Sequence, residues 1–164
     1  IRKHAKNFDR LKVAIIGDIK HSRVSRSLTE GLAAMSVKEL ILITPDEFKP
    51  NMEHYPNATH NNNLDEGLTN ADVVVALRVQ KERIKNLRDA IEPKDYFENY
   101  GLTEERLLSC KGNVIVMHPG PMNRGVEISD AVADGRHSVI KEQVTNGIAI
   151  RMALLSMMQE QLPT

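Results

Sequence analysis

Four short runs dominated by β-branched and other apolar residues restrict this chain to very few folds. They lie at residues 11–16, 39–44 (around Leu40-Ile41-Leu42-Ile43), 72–77 (around Val73-Val74-Val75) and 114–117. Each is too short for a buried helix and has turn residues or charge beside it, so each reads as a strand. Strands that are apolar on successive residues are buried on both faces, which is the mark of a parallel sheet covered by helices. Helical patterns fall between and after them. A polar loop at 20–26 opens a helix through about Met35, with Leu28, Leu32 and Met35 on one face. Ser22, Ser25 or Ser27 can cap it, the last with capping-box spacing to Glu30. Residues 64–69 read as a short helix, Thr103 as the N-cap of another, and 130–134 as a helical turn. From about Ser138, Val139, Val144, Ile148, Met152, Leu155 and Met158 recur at helical spacing, and Pro163 ends the run. The expected fold is a doubly wound α/β domain, a mainly parallel, Rossmann-like sheet with helices on both faces. Residues 1–10 read as the end of a helix or a linker, 46–63 as loop with one short helix, and 84–100 as charged and irregular.

At 164 residues the chain is long enough for one domain with a substantial core. Its 22 basic and 22 acidic side chains cancel, so no basic stripe points to nucleic acid. Trp is absent and aromatics make up only 4%, which weakens any base-stacking role. Cys110 is the single cysteine, excluding an intrachain disulfide or a cysteine metal cluster and fitting a reducing, cytoplasmic setting. No apolar run approaches the roughly 20 residues that span a bilayer, and no signal peptide is visible. The chain begins at Ile1, so it reads as a piece of something longer.

In a doubly wound sheet, ligands bind beyond the carboxyl ends of the strands. Three polar motifs fall there. Arg23 follows the first strand, Arg78 and Gln80 follow the third, and His118-Pro119-Gly120-Pro121-Met122-Asn123-Arg124-Gly125-Val126-Glu127 follows the fourth. Pro119 and Pro121 fix their own φ around Gly120, so this last loop is a stiff backbone corner. A dinucleotide does not suit the set. Gly17-Asp18-Ile19-Lys20-His21-Ser22 lacks the glycines that admit a pyrophosphate, and Asp18 would repel one. Two guanidiniums at neighbouring strand ends suit a dicarboxylate, each gripping one carboxylate through a planar fork. Gln80 can add a neutral hydrogen bond, and Glu82 can steer Arg78. Arg26, Arg83, Arg88 and Arg106 read as surface charges. His118 is open to two readings, a general base or a structural residue bonded to backbone, and the following Pro119 favours the second. The histidines show no zinc-ligand spacing, and no nucleophile elbow is present.

The stretches VAIIGDIKHSRVSRSL (13–28), DVVVALRVQKER (72–83), YGLTEERL (100–107), HPGPMNRGVEI (118–128) and SVIKEQVTNGIAIRMALL (138–155) closely resemble the C-terminal, L-aspartate-binding half of aspartate carbamoyltransferases. Related ornithine enzymes would show His-Cys-Leu-Pro at 118–121, where this chain has His-Pro-Gly-Pro. The resemblance implies transfer of the carbamoyl group of carbamoyl phosphate to the amine of L-aspartate, in pyrimidine synthesis and without a cofactor. It implies that Arg23 and Arg78 bind the aspartate carboxylates and that Gln80 assists near the amine. Gly120 and Pro121 would offer backbone carbonyls to the carbamoyl group and amine, with Glu82, His118 and Arg124 supporting them. The family's Ser-Thr-Arg-Thr-Arg-type phosphate motif is missing. An N-terminal carbamoyl-phosphate domain is therefore expected outside this chain, with residues 1–10 ending the interdomain helix and 11–164 forming the aspartate domain. The full-length enzyme would be a homotrimer or higher assembly, and this piece alone inactive. Without its neighbour, the last helix is expected to expose apolar surface around Met152, Leu155 and Met158. The rival readings are a non-catalytic amino-acid-binding or partner module, and an unrelated nucleotide-binding domain.

Overall fold

A computed structural model describes residues 1–79 and 92–160. Among these, five parallel strands form one sheet: β1 (Lys12–Ile16), β2 (Glu39–Ile43), β3 (Thr59–Asn61), β4 (Val73–Ala76) and β5 (Ile115–Met117). Their spatial order is β3-β2-β1-β4-β5, so the winding reverses between β1 and β4. Ile16 of β1 lies opposite Ile43 of β2 on one side and Ala76 of β4 on the other. Helices α1 (Arg23–Ala34), α2 (Leu64–Leu68), α3 (Pro93–Tyr100), α4 (Glu104–Leu107), α5 (Asp130–Ala133) and α6 (Ile140–Glu160) accompany the strands, with 3-10 turns at Phe8–Arg10, Asp46–Phe48 and Met52–His54.

The alternation of side chains along each strand divides the core into two. Ala14, Ile16, Ile41, Ile43, Val74 and Val116 face one layer, with Leu64, Leu68, Leu102 and Ile128 packed on them. Val13, Ile15, Leu40, Leu42, Val73 and Val75 face the other, with Leu32 of α1 and Tyr55. Both faces are dry, which is why the strands carry no polar alternation. At the reversal point the backbones crowd. A Cβ on Gly17 would lie 2.5 Å from the Leu77 carbonyl oxygen, and Gly17 has φ +130°. Only glycine meets both demands.

Two expectations need correction. β3 is an edge strand made of Thr59, His60 and Asn61, paired with β2 through Ile41, Leu42 and Ile43. Its polar composition hid it within an expected loop. Residues 93–100 are a helix, not irregular: Pro93 occupies the first turn, and Tyr96 packs inward with Phe48 and Val79. The start of the chain holds one hydrogen-bonded turn, closed by Ala5 N–H on the Ile1 carbonyl, and a 3-10 turn at Phe8–Arg10. Ser22 is the cap of α1, its Oγ accepting from the Ser25 N–H at 3.3 Å. The last helix is exposed where expected, at Met152, Leu155 and Met158, and also at Val144, Ile148 and Leu154. Pro163 lies outside the described residues.

Candidate functional site

The winding reverses between β1 and β4, the point of a doubly wound sheet beyond which ligands bind, and the His118–Ile128 loop follows β5, the neighbour of β4. Asp18 follows β1 and is fully buried. Its Oδ1 accepts the His21 N–H at 3.1 Å and lies 2.8 Å from His21 Nδ1, so the carboxylate is turned into the protein. Arg23 opens α1 and is exposed. It lines a cleft of about 470 Å³ with Lys20, His21, Arg26, His54 and Tyr55. Arg78 is two residues beyond β4 and half-buried, held between the buried Leu77 and Val79. Gln80 and Glu82 lie outside the described residues, as do Arg83 and Arg88.

The third element is the loop from His118 to Ile128. Gly120 has φ +69°, and the Gly120–Pro121 bond is cis. The loop folds over a buried carboxylate: Glu127 is 1% exposed, and its Oε1 takes the Asn123 N–H and faces His118 Nε2 at 3.2 Å. Asn123 Nδ2 donates to the Val79 carbonyl at 3.4 Å, tying this loop to the residue after Arg78. His118 is fully buried, and its N–H donates to Gln143 Oε1 of α6 at 3.2 Å. Residues 137–139 fix α6 there by bonding along the free edge of β5, with Val116 N–H on the His137 carbonyl and Val139 N–H on the Val116 carbonyl. Arg124 points out of the loop. It pairs with Asp130 at 2.7 Å and with Asp134 at 2.7 Å, lashing the loop to α5. These contacts raise the pKa of Arg124 and hold Asp134 below the usual carboxylate range.

Two residues shape this region that a reading of the sequence did not single out, Gln143 and Tyr96, and the pairing of Asp18 with His21 was not read either. The burial of Glu127 was not read from the sequence either; its place between Val126 and Ile128 is the sign that could have shown it, and Gln143 carries no comparable sign. Burial, then the charges of Glu127 and Asp18, push the Tyr96 phenol well up, so it stays protonated. Among the described residues its Oη is buried without a hydrogen-bond partner, as is Glu127 Oε2. Among the described residues, no group of three or more His, Cys, Asp or Glu is arranged to hold a metal.

A family model for the Asp/Orn-binding domain of aspartate/ornithine carbamoyltransferases matches residues 9–158. The chain belongs to this carbamoyltransferase family. The aspartate carbamoyltransferase catalytic subunit of Ruthia magnifica subsp. Calyptogena magnifica is 47% identical over 158 residues, covering 96% of this chain and 49% of its own length. That of Legionella pneumophila (strain Lens) is 49% identical over 150 residues, covering 92% and 50%. The chain thus spans about half the length of the curated relatives it matches. Among solved structures, the catalytic subunit of M. jannaschii aspartate transcarbamoylase has TM-score 0.82 at 25% identity, covering 99% of this chain and 54% of that one. An ornithine carbamoyltransferase from Pyrococcus furiosus shares the fold, with TM-score 0.86 at 18% identity and coverage of 99% and 54%. The family's fold is therefore present here. No helix of the described chain is long and apolar enough to cross a membrane.

Proposed function

We propose that this chain is the L-aspartate-binding domain of an aspartate carbamoyltransferase, the half that presents aspartate to carbamoyl phosphate bound chiefly by a domain outside it. What supports this reading is the order of three groups along adjacent elements of the sheet around the winding reversal. Arg23 opens the helix that follows β1, Arg78 lies two residues beyond the adjacent β4, and Asn123 ties the His118–Ile128 loop to the residue after Arg78. The names of relatives at 47% and 49% identity support aspartate over ornithine.

The chemistry follows from the groups. Arg23 and Arg78 each hold one carboxylate of aspartate, which leaves its amine free to be aimed. Gln80 assists beside that amine. The carbonyl oxygens of Gly120 and Pro121 accept hydrogen bonds from the N–H groups of the carbamoyl moiety and of the incoming amine. Held in this way, the amine attacks the carbamoyl carbon directly. The tetrahedral intermediate collapses as its C–O bond to phosphate breaks and the departing phosphate takes the proton from the amine nitrogen, so no covalent enzyme adduct forms. A stiff loop suits this task, because acceptors set in advance need no reorganisation at the transition state. Glu82, His118 and Arg124 support these groups. The reaction proceeds without a cofactor, in the cytoplasm, in a homotrimer or larger assembly.

The test is titration of the purified chain with L-aspartate, followed by amide chemical shifts. Weak saturable binding is expected, since few groups hold the dianion and water screens them. Arg78→Ala abolishes it, while Arg10→Ala, at the opposite end of the sheet, leaves it unchanged. Equal losses from both variants would refute the assignment. The chain alone gives no carbamoylaspartate; co-expression with the carbamoyl-phosphate half of a relative restores it.

A further inference from the structure

We infer that Glu127 and His118 form one positioning unit, in which the buried carboxylate fixes the ring tautomer that holds the Gly120 amide beneath the loop. Two contacts decide the tautomer. The Gly120 N–H donates to His118 Nδ1 at 2.9 Å. A backbone amide can only donate, so Nδ1 bears a lone pair and no proton. The single proton of the neutral ring then sits on Nε2, 3.2 Å from Glu127 Oε1, and donates to it. An imidazolium would set Nδ1–H against the Gly120 N–H. The ring therefore has no free nitrogen for proton transfer, which removes the general-base reading of His118. Both side chains are essentially inaccessible, at 0% and 2% exposure, so water does not compete for these bonds.

The consequence lies in the backbone. One imidazole nitrogen fixes the N–H of Gly120, and the carboxylate that orients the ring also takes the Asn123 N–H. Glu127 thus pins the loop on both sides of Pro121. On the proposed function, which this step rests on, the pinned segment is the one whose carbonyls meet the carbamoyl group. Gln143 adds a third anchor through the His118 N–H, so the seat of α6 and the loop are mechanically joined.

Two amide side chains separate the two ring nitrogens. Asn at 118 places its amide near the position of Nδ1 and can still accept from Gly120; Gln reaches the position of Nε2 and meets Glu127 instead. The experiment starts with long-range nitrogen–proton correlation spectra of the chain labelled in histidine, assigned by the loss of signals in His118→Asn. A proton on Nε2 and none on Nδ1 is expected; a proton on Nδ1 would overturn the inference. Hydrogen exchange of the Gly120 amide then follows in both variants. His118→Asn keeps its protection, and His118→Gln speeds exchange roughly tenfold, the effect of one lost hydrogen bond. Equal protection in both would also overturn it. In the co-expressed enzyme, His118→Gln lowers kcat more than His118→Asn, with KM for aspartate unchanged. With the tautomer and exchange as expected, a kcat indifferent to both variants would overturn the role of the loop in the reaction, and with it that part of the proposed function.

Discussion

Replacing Arg106 by Met tests how this fold closes helix α3. The sequence offers Arg106 as a surface charge, and its ion pair with Asp65 at 3.7 Å is the weak kind expected of one. Asp65 is 74% exposed, so that pair is worth about 0–1 kcal/mol. The rest of the guanidinium does something else. Nη1 donates to the Gly101 carbonyl at 2.5 Å and to that of Phe97 at 3.3 Å, and Nη2 donates to Glu98 at 2.6 Å. These carbonyls end α3, where the helix itself supplies no donors. The Arg106 side chain is only 19% exposed, so water replaces these bonds poorly. Two short charge-assisted bonds at about 1.5–3 kcal/mol each, discounted for their solvent-facing edge, make Arg106→Met cost about 2–4 kcal/mol. Met keeps the packing of the stem, so this loss is polar. Arg106→Lys recovers little, because an ammonium cannot fork across several carbonyls. The assay is urea denaturation followed by circular dichroism, read as a fall in midpoint at unchanged slope. In thermal scans the same loss lowers Tm by roughly 4–16 °C for a domain of this size. Asp65→Asn should stay within about 0.5 kcal/mol of the parent. A similarly small effect for Arg106→Met would refute the capping argument and return Arg106 to the solvated surface.

Tyr96→Phe should be neutral or stabilising by up to about 1 kcal/mol, because the phenol is buried without a partner; a loss above that, by the same denaturation assay, would show a hydrogen bond to it. Gly17→Ala should cost more than about 2 kcal/mol, combining a positive φ with a clash against backbone that cannot turn aside, and should leave little folded protein in thermal scans. Burial pushes the Cys110 thiol up to about 11 against the opposing effects of Ser109 and Lys12. A raised folded pKa means that the contribution of Cys110 to stability is fully present below its ordinary value of 9.0 and is lost as pH rises toward about 11. Cys110→Ser should remove that part of the alkaline decline, and at pH 8 the native thiol should react with a disulfide reagent at least about tenfold more slowly than the unfolded chain.

The sheet was legible because its central strands are buried on both faces. Nothing but apolar residues serves at Val13–Ile16 or Val73–Ala76, and continuous apolar runs are hard to mistake. Legibility failed where burial fell away. β3 is recognised only by the backbone bonds it gives β2, and Thr59, His60 and Asn61 carry no pattern for that. Helix α3 is short and charged, and it depends on an arginine that follows it by several residues. A cap supplied from outside leaves no mark inside the segment it closes.

The candidate site divides in a similar way. Its charged groups announce themselves, since an arginine just beyond a buried strand has few uses there. The groups that would fix its backbone are silent, because their partners are main-chain atoms. Gly120 N–H, Asn123 N–H and His118 N–H are common to every sequence; what distinguishes them is that Nδ1 of His118, Oε1 of Glu127 and Oε1 of Gln143 each receive one. His118 and Glu127 lie nine residues apart, and Gln143 comes 25 residues after His118, so no periodicity joins them. Reading His118 as a base or as a brace from its type alone was undecidable, since both uses need the same ring. The proposed brace rests on the direction of one backbone amide, because an N–H at Nδ1 leaves the ring only one proton to place.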